Sequence, residues 1–173
     1  MSVSYPSTEW TRVCKVSDIR TRFHCQVKDR YITIIKSESG PDSFHCIDSI
    51  CFHMGGPLGA GDVEDVAGHS CIVCPWHYLK IDISDGKKLT RKILRFDDQG
   101  KPVDFAWEKS DKVFQRVHPL LIFEDFIFIK LSDTPTSVDS DRYCYHSSAA
   151  KGLHANLKSF GSDGKCPRYY LTL

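Results

Sequence analysis

The chain has 173 residues, of which 41% are hydrophobic and 26% charged, and its formal net charge is +1. This length allows one domain with a substantial core plus a tail. The balanced charge gives no pull toward nucleic acid or an anionic membrane. The most apolar stretch, residues 119–131, is split by Glu124-Asp125 and is too short to cross a bilayer.

In chain order, the apolar period is mostly two, so strands are expected. Residues 10–16 form the first candidate. Residues 23–27 and 31–36 flank Lys28-Asp29-Arg30, a hairpin turn. Ser39-Gly40-Pro41-Asp42 is a turn signal before a strand at 44–49. The Gly- and Asp-rich run 59–68 reads as turn, short strand, turn. Residues 69–73 and 79–83 are strands on either side of a second loop. Residues 87–108 lack a regular pattern and are expected to wander over the surface. Residues 113–120 and 126–131 then make a last hairpin turning near Glu124-Asp125. The expected fold is all-β, an antiparallel sandwich or small barrel. The domain is expected over residues 1–132. A polar, partly disordered tail over 133–173 follows, in which Ala149, Leu153, Leu157 and Phe160 fall at helical spacing.

Eight cysteines are scattered without the layout of a small disulfide framework. Cys14, Cys25, Cys46 and Cys71 lie in apolar alternating segments and read as buried thiols. The first residues, Met1-Ser2-Val3-Ser4-Tyr5-Pro6, show no signal or transit pattern. A soluble, monomeric, cytoplasmic protein is the expectation, with neither membrane nor nucleic-acid partner. His24, His45 and His118, in strand-like segments, read as structural.

Two cysteines stand apart because each has a histidine close by: Cys51-Phe52-His53, and Cys74-Pro75-Trp76-His77. Two thiolates and two imidazoles suit a tetrahedral zinc ion, although zinc spacings usually set a Cys pair beside a separate His pair. Here each pair is mixed. That suits two ligand loops, each bringing a Cys to one iron and a His to another.

The stretch Cys51-x-His53-x-Gly55-Gly56-Pro57-Leu58, then Cys74-Pro75-Trp76-His77, then Asp82 and Asp85-Gly86, resembles the Rieske ferredoxins. Together with Gly61-Asp62-Val63-Glu64-Asp65, it looks most like the stand-alone Rieske-domain proteins of animals. The resemblance implies a sandwich bearing a two-loop cluster-binding subdomain, with loops at about 51–58 and 74–80. It implies one [2Fe–2S] cluster held by Cys51 and Cys74 on an inner iron and by His53 and His77 on an outer one. It also implies an electron carrier rather than an enzyme, fed by a flavoprotein reductase and discharged by an oxygenase or other redox protein. The spacing between His53 and Cys74 is a little longer than the family usually shows.

High-potential members of the wider group join their loops by a disulfide, whose cysteines correspond to Gly56 and Trp76 here. They also place a Ser and a Tyr, donors toward the cluster, where Leu79 and Ile81 stand in this chain. A low potential is therefore expected. A Rieske oxygenase would need a mononuclear iron domain, for which the chain after His77 offers no close His pair. A nitrite-reductase-like small subunit or another subunit of a larger oxidoreductase remains open, as does a zinc-binding module.

Overall fold

The computed structural model describes residues 6–37 and 43–145, together with Leu153 and the backbone of Ser159–Phe160. The turn expected at 39–42 and most of the segment expected to be helical lie outside the described residues. Phe160, at the end of that segment, is in a short strand.

The described residues are built almost wholly into antiparallel strands in three sheets. Two of them make a sandwich. In the first, β2 (Arg22–Val27), β3 (Arg30–Lys36) and β4 (Phe44–Asp48) form a meander. It is extended by β10 (Val117–His118) beside β4 and by β13 (Ser159–Phe160), parallel to β2. In the second, β1 (Thr11–Lys15) pairs with β12 (Phe126–Ile129), which pairs with β11 (Leu120–Phe123). Period-two patterning drives this. Phe23, Cys25 and Val27 of β2 all point inward and meet Val13, Cys14, Ile127 and Ile129 of the facing sheet. The turn between β2 and β3 starts at Lys28 with a positive φ, and Glu124 and Asp125 are both left-handed, as a tight hairpin turn requires.

The third sheet carries the feature of interest. Its order is β5 (Val63–Val66), β6 (His69–Val73), β7 (Lys80–Asp82), β8 (Lys87–Phe96) and β9 (Pro102–Val113). One loop enters this sheet from β4 and a second joins β6 to β7. Ile35, Ile47, Leu58, Ile72, Ile81 and Ile83 pack beneath both loops, in one cluster with Cys51, Phe52 and Cys74.

Two expectations need correction. Residues 87–108 do not wander: β8 and β9 pair along their length, with Trp107 opposite Arg91 and Phe105 opposite Ile93. Beyond Leu89, which pairs with Lys80, this ribbon runs on for about 23 Å at the usual strand rise. Both of its faces meet solvent, so no burial alternation was written into it. Its turn is marked by Gly100, with φ +76, and by Asp97, whose side chain accepts from the N–H groups of Gln99 (3.0 Å) and Lys101 (2.8 Å). The strand expected at 113–120 is also broken. Gln115 and Arg116 turn inward and are buried, separating β9 from β10.

The segment after Ser132 is likewise not all loose tail. A short 3-10 turn at Asp139–Arg142 packs on the sandwich. Asp48, with no exposed surface, accepts from Arg30 Nη1 at 2.9 and 2.8 Å, from Ser140 Oγ at 2.6 Å, and from His118 Nε2 at 3.1 Å. His118 Nδ1 accepts from the Ser132 N–H at 3.0 Å, which assigns the ring its tautomer. Asp141 bridges Arg116 at 2.6 Å and Arg30 at 2.9 Å. A polar sequence can dock when its polar groups find buried partners, and composition alone does not show this.

The described cysteines are buried and form no disulfide, and Cys14, Cys25, Cys46 and Cys71 are buried as expected. Burial pushes the Cys71 thiol up to about 12, which leaves it protonated and inert.

Two outcomes follow for stability. Replacing Asp48 with Ala removes the acceptor of Arg30 Nη1, His118 Nε2 and Ser140 Oγ, leaving Arg30 only Asp141 as an ion-pair partner, and should cost about 3–5 kcal/mol in urea unfolding. Under the third sheet, burial pushes the Asp82 carboxyl up, but hydrogen bonds from Lys109 and Ser84 outweigh it and hold it at about 2. The stabilisation is present above the ordinary carboxylate value near 4 and is lost as pH falls toward about 2. Acid titration of Tm should show that fall, and Asp82→Asn should flatten it.

Candidate metal centre

The first loop leaves β4 at Asp48 and closes back on itself within a few residues. The Cys51 N–H donates to Gly56 O at 2.8 Å, and the Gly55 N–H to Cys51 O at 3.1 Å. Gly55 makes this possible with φ +73, a left-handed conformation that favours glycine. A β-carbon at Gly56 would lie 3.2 Å from Cys74 Sγ and 3.0 Å from the Trp76 ring, so the loop backbone passes hard against the second loop. A 3-10 turn, Leu58–Ala60, follows, and Arg22 Nη1 ties it to β2 through Gly59 O (2.8 Å) and Gly61 O (2.7 Å).

The second loop is set by its own backbone. The Cys74 N–H donates to Leu79 O at 2.9 Å and the Tyr78 N–H to Cys74 O at 2.8 Å. Tyr78 adopts φ +55, a strained state for a bulky residue, with 75% of its surface exposed. Asp82 anchors the turn after β7, accepting from Ser84 N (2.8 Å), His69 Nδ1 (2.9 Å) and Lys109 Nζ (2.6 Å). The Gly86 carbonyl accepts from the Gln115 N–H at 3.0 Å, so this turn abuts the Gln115 backbone.

Gln115, fully buried, is the residue that sequence reading missed. Its Nε2 donates to Ile50 O at 2.7 Å and Asp48 O at 3.0 Å, and its Oε1 accepts from the Phe52 N–H at 2.9 Å. It therefore satisfies three backbone groups around Cys51. No local signal marks it: one amide in an apolar run looks like an outward-facing strand residue.

All four singled-out side chains come together at one end of the third sheet. Cys51 and Cys74 are buried, each 1% exposed, and their thiols share a hydrogen bond. That bond, with burial, pushes the Cys51 thiol up and draws the Cys74 thiol down, the latter helped by the Trp76 and His77 N–H groups that donate to its sulfur. The His53 N–H donates likewise to the Cys51 sulfur. His53 and His77 lie outward of the thiols, both exposed, with ring centroids 4.8 Å apart and edge to face. Pro75 is exposed on the same loop. Trp76 serves in two ways: one side of its ring covers Gly56, and 54% of its surface faces solvent. Residues 51–58 and 74–79 contain no charged side chain.

Among the described residues, no three His, Cys, Asp or Glu side chains gather about one point, as a single ion would need. Two thiols on the inner side and two imidazoles on the outer side suit a binuclear group with one thiolate-bound and one imidazole-bound iron. The donor set fits such a group, and backbone N–H groups already point at the Cys51 and Cys74 sulfurs. Three other histidines are engaged elsewhere: His24 is bonded to Thr33, His69 to Asp82 and His118 to Asp48. No helix among the described residues is long and apolar enough to cross a membrane.

Comparison with known proteins agrees with this geometry. Residues 12–134 match the model of the soluble Rieske-type ferredoxins. A Rieske domain-containing protein of Homo sapiens is 37% identical over 139 residues, covering 78% of this chain and 84% of that protein. The ferredoxin of carbazole 1,9a-dioxygenase from Nocardioides aromaticivorans IC177 shares the fold with a TM-score of 0.50. It is 16% identical and covers 71% of this chain and 98% of its own. A protein described as a small subunit of an NADH-dependent nitrite reductase from Mycobacterium tuberculosis also has a TM-score of 0.50. It is 17% identical, covering 69% and 92%. The chain belongs to the soluble Rieske-type ferredoxins, a family of [2Fe–2S] electron carriers that are not themselves catalysts.

Proposed function

We propose that this chain carries single electrons on one [2Fe–2S] cluster, with Cys51 and Cys74 on the inner iron and His53 and His77 on the outer one. The supporting observation is the segregation of the four donors, two buried sulfurs behind two exposed imidazoles. When bound, the cluster supplies the reversible one-electron chemistry. The protein's part is to bind, shield and aim. The loops keep water from the sulfurs, and Trp76 closes the seam between them. The imidazole edges of His53 and His77 face outward and give electrons a short exit.

The donor in this reading is a flavoprotein reductase, and the acceptor is an oxygenase or another redox protein. The likeness to a dioxygenase ferredoxin supports that pairing in kind. An uncharged, partly aromatic tip suits brief docking against an apolar patch on each partner in turn. Buried free thiols favour a reducing compartment, and the protein acts there as a cytoplasmic monomer.

The potential belongs at the low end of the Rieske range, which spans about −150 to +300 mV. Donors to the cluster sulfurs stabilise the reduced, more negative state, and this chain lacks two of them. Ile81 is wholly buried in the apolar cluster beneath the loops, and Leu79 packs against that cluster. Gly56 and Trp76 stand at the two positions a disulfide between the loops would need, and they meet by contact instead, a β-carbon at Gly56 lying 3.0 Å from the Trp76 ring.

The aerobically purified protein should be red-brown, with about two iron and two labile sulfides per chain and a Rieske-type EPR signal on reduction. Stoichiometric zinc without sulfide would replace this reading with a structural one. The midpoint potential by redox titration should lie below about +100 mV, and Leu79→Ser, which adds a hydroxyl donor, should raise it.

A further inference from the structure

The segment that follows the last hairpin reaches back to the first ligand loop. The family match ends at residue 134, so this contact lies beyond it. From the docked turn at Asp139–Arg142, the chain brings Tyr143 over Gly55. A β-carbon at Gly55 would lie 3.1 Å from Tyr143 Cδ1 and 3.4 Å from Cε1. The Tyr143 hydroxyl is 3.4 Å from His53 O, a long hydrogen bond, so the ring contact is the stronger of the two. On the ring's other neighbour, the Arg142 guanidinium lies 5.5 Å from its centroid.

The segment is anchored on both sides of this ring. Ser140 Oγ donates to buried Asp48, and the Arg116 N–H donates to Ser140 Oγ at 3.0 Å. Asp141 is paired with Arg116 and Arg30. After the ring, Cys144 is wholly buried, and its carbonyl accepts from the Tyr31 N–H at 3.0 Å. Tyr143 is thus held at the loop by bonds made elsewhere. Those bonds converge on Asp48, which lies three positions before Cys51 on the same strand-to-loop passage.

We propose that Tyr143 is a positioning residue for the first ligand loop: its ring clamps the turn at Gly55 and so holds His53 opposite His77. This rests on the assignment of His53 as a ligand for its functional meaning, though not for the clamp itself. Gly55 carries the left-handed turn that lets His53 and Gly56 face the second loop. A ring pressed on that turn restricts its opening, and second-sphere contacts of this kind tune how firmly a metal group is held.

The test uses the full chain with Tyr143→Ala and Tyr143→Phe, in two independent arms. In metal-free protein, amide hydrogen exchange at Cys51 and Gly55 should be on the order of tenfold faster in Y143A and near wild type in Y143F. Exchange in β2 and β3 should not change. If Cys51 and Gly55 are unaffected in Y143A, or if β2 and β3 loosen as much as the loop, the ring is ordinary packing and the proposal fails. In cluster-loaded protein, loss of cluster to a chelator should be on the order of tenfold faster in Y143A, with altered EPR g-values and rescue by Phe. Unchanged loss and g-values would also overturn it. Wild-type protein that never takes up a cluster would defeat the proposed function instead, and the exchange arm would still decide the clamp.

Discussion

A single carboxylate with no exposed surface organises this molecule. Asp48 ends β4, and its two oxygens collect Arg30 from β3, His118 from β10 and Ser140 from the C-terminal segment. A buried charge persists only when paired and fully hydrogen-bonded. Its partners must therefore stay in place, and with them three separate parts of the chain. Cys51 follows three residues later, so the strand that supplies the first ligand loop is pinned at its end before the loop begins.

Gln115 continues the same logic. It spans the backbone from Asp48 to Phe52 with both ends of its amide, while its own N–H reaches Gly86 in the turn after β7. One residue thus ties the first loop to a turn of the third sheet from a distant part of the sequence. Beneath them lies a purely aliphatic floor, Ile35, Ile47, Ile72, Ile81 and Ile83, whose close packing transmits any shift of one loop to the other. The apolar base excludes water from the two sulfurs. The backbone N–H groups of His53, Trp76 and His77 supply polarity only where the sulfurs sit. The result is a dry inner half and a wet outer half, which is what donors of two kinds need.

Much of this was legible in the residues. Alternating apolar positions marked β2, whose Phe23, Cys25 and Val27 are buried while the residues between them are less so, whereas β3, β4, β6 and β12 were marked by short apolar runs between turns, with consecutive residues buried on both faces. The mixed Cys/His pairs marked the candidate metal centre because ligand chemistry restricts residue type so strongly. The ribbon of β8 and β9 was not legible, since a strand exposed on both faces carries no alternation. Gln115 and Tyr143 were also missed. Each acts through a contact with residues more than sixty positions away, and nothing in its immediate neighbours points there.

By itself, the sequence determined the strand-rich class, the two ligand loops and the four candidate ligands. These depend on side-chain chemistry and on spacing along the chain. Only the tertiary structure decided that the sulfurs lie behind and the imidazoles in front, that Asp48 and Gln115 hold the first loop, and that part of the polar tail docks on it. Those features arise from long-range hydrogen bonds and burial, which are properties of what the chain meets after folding.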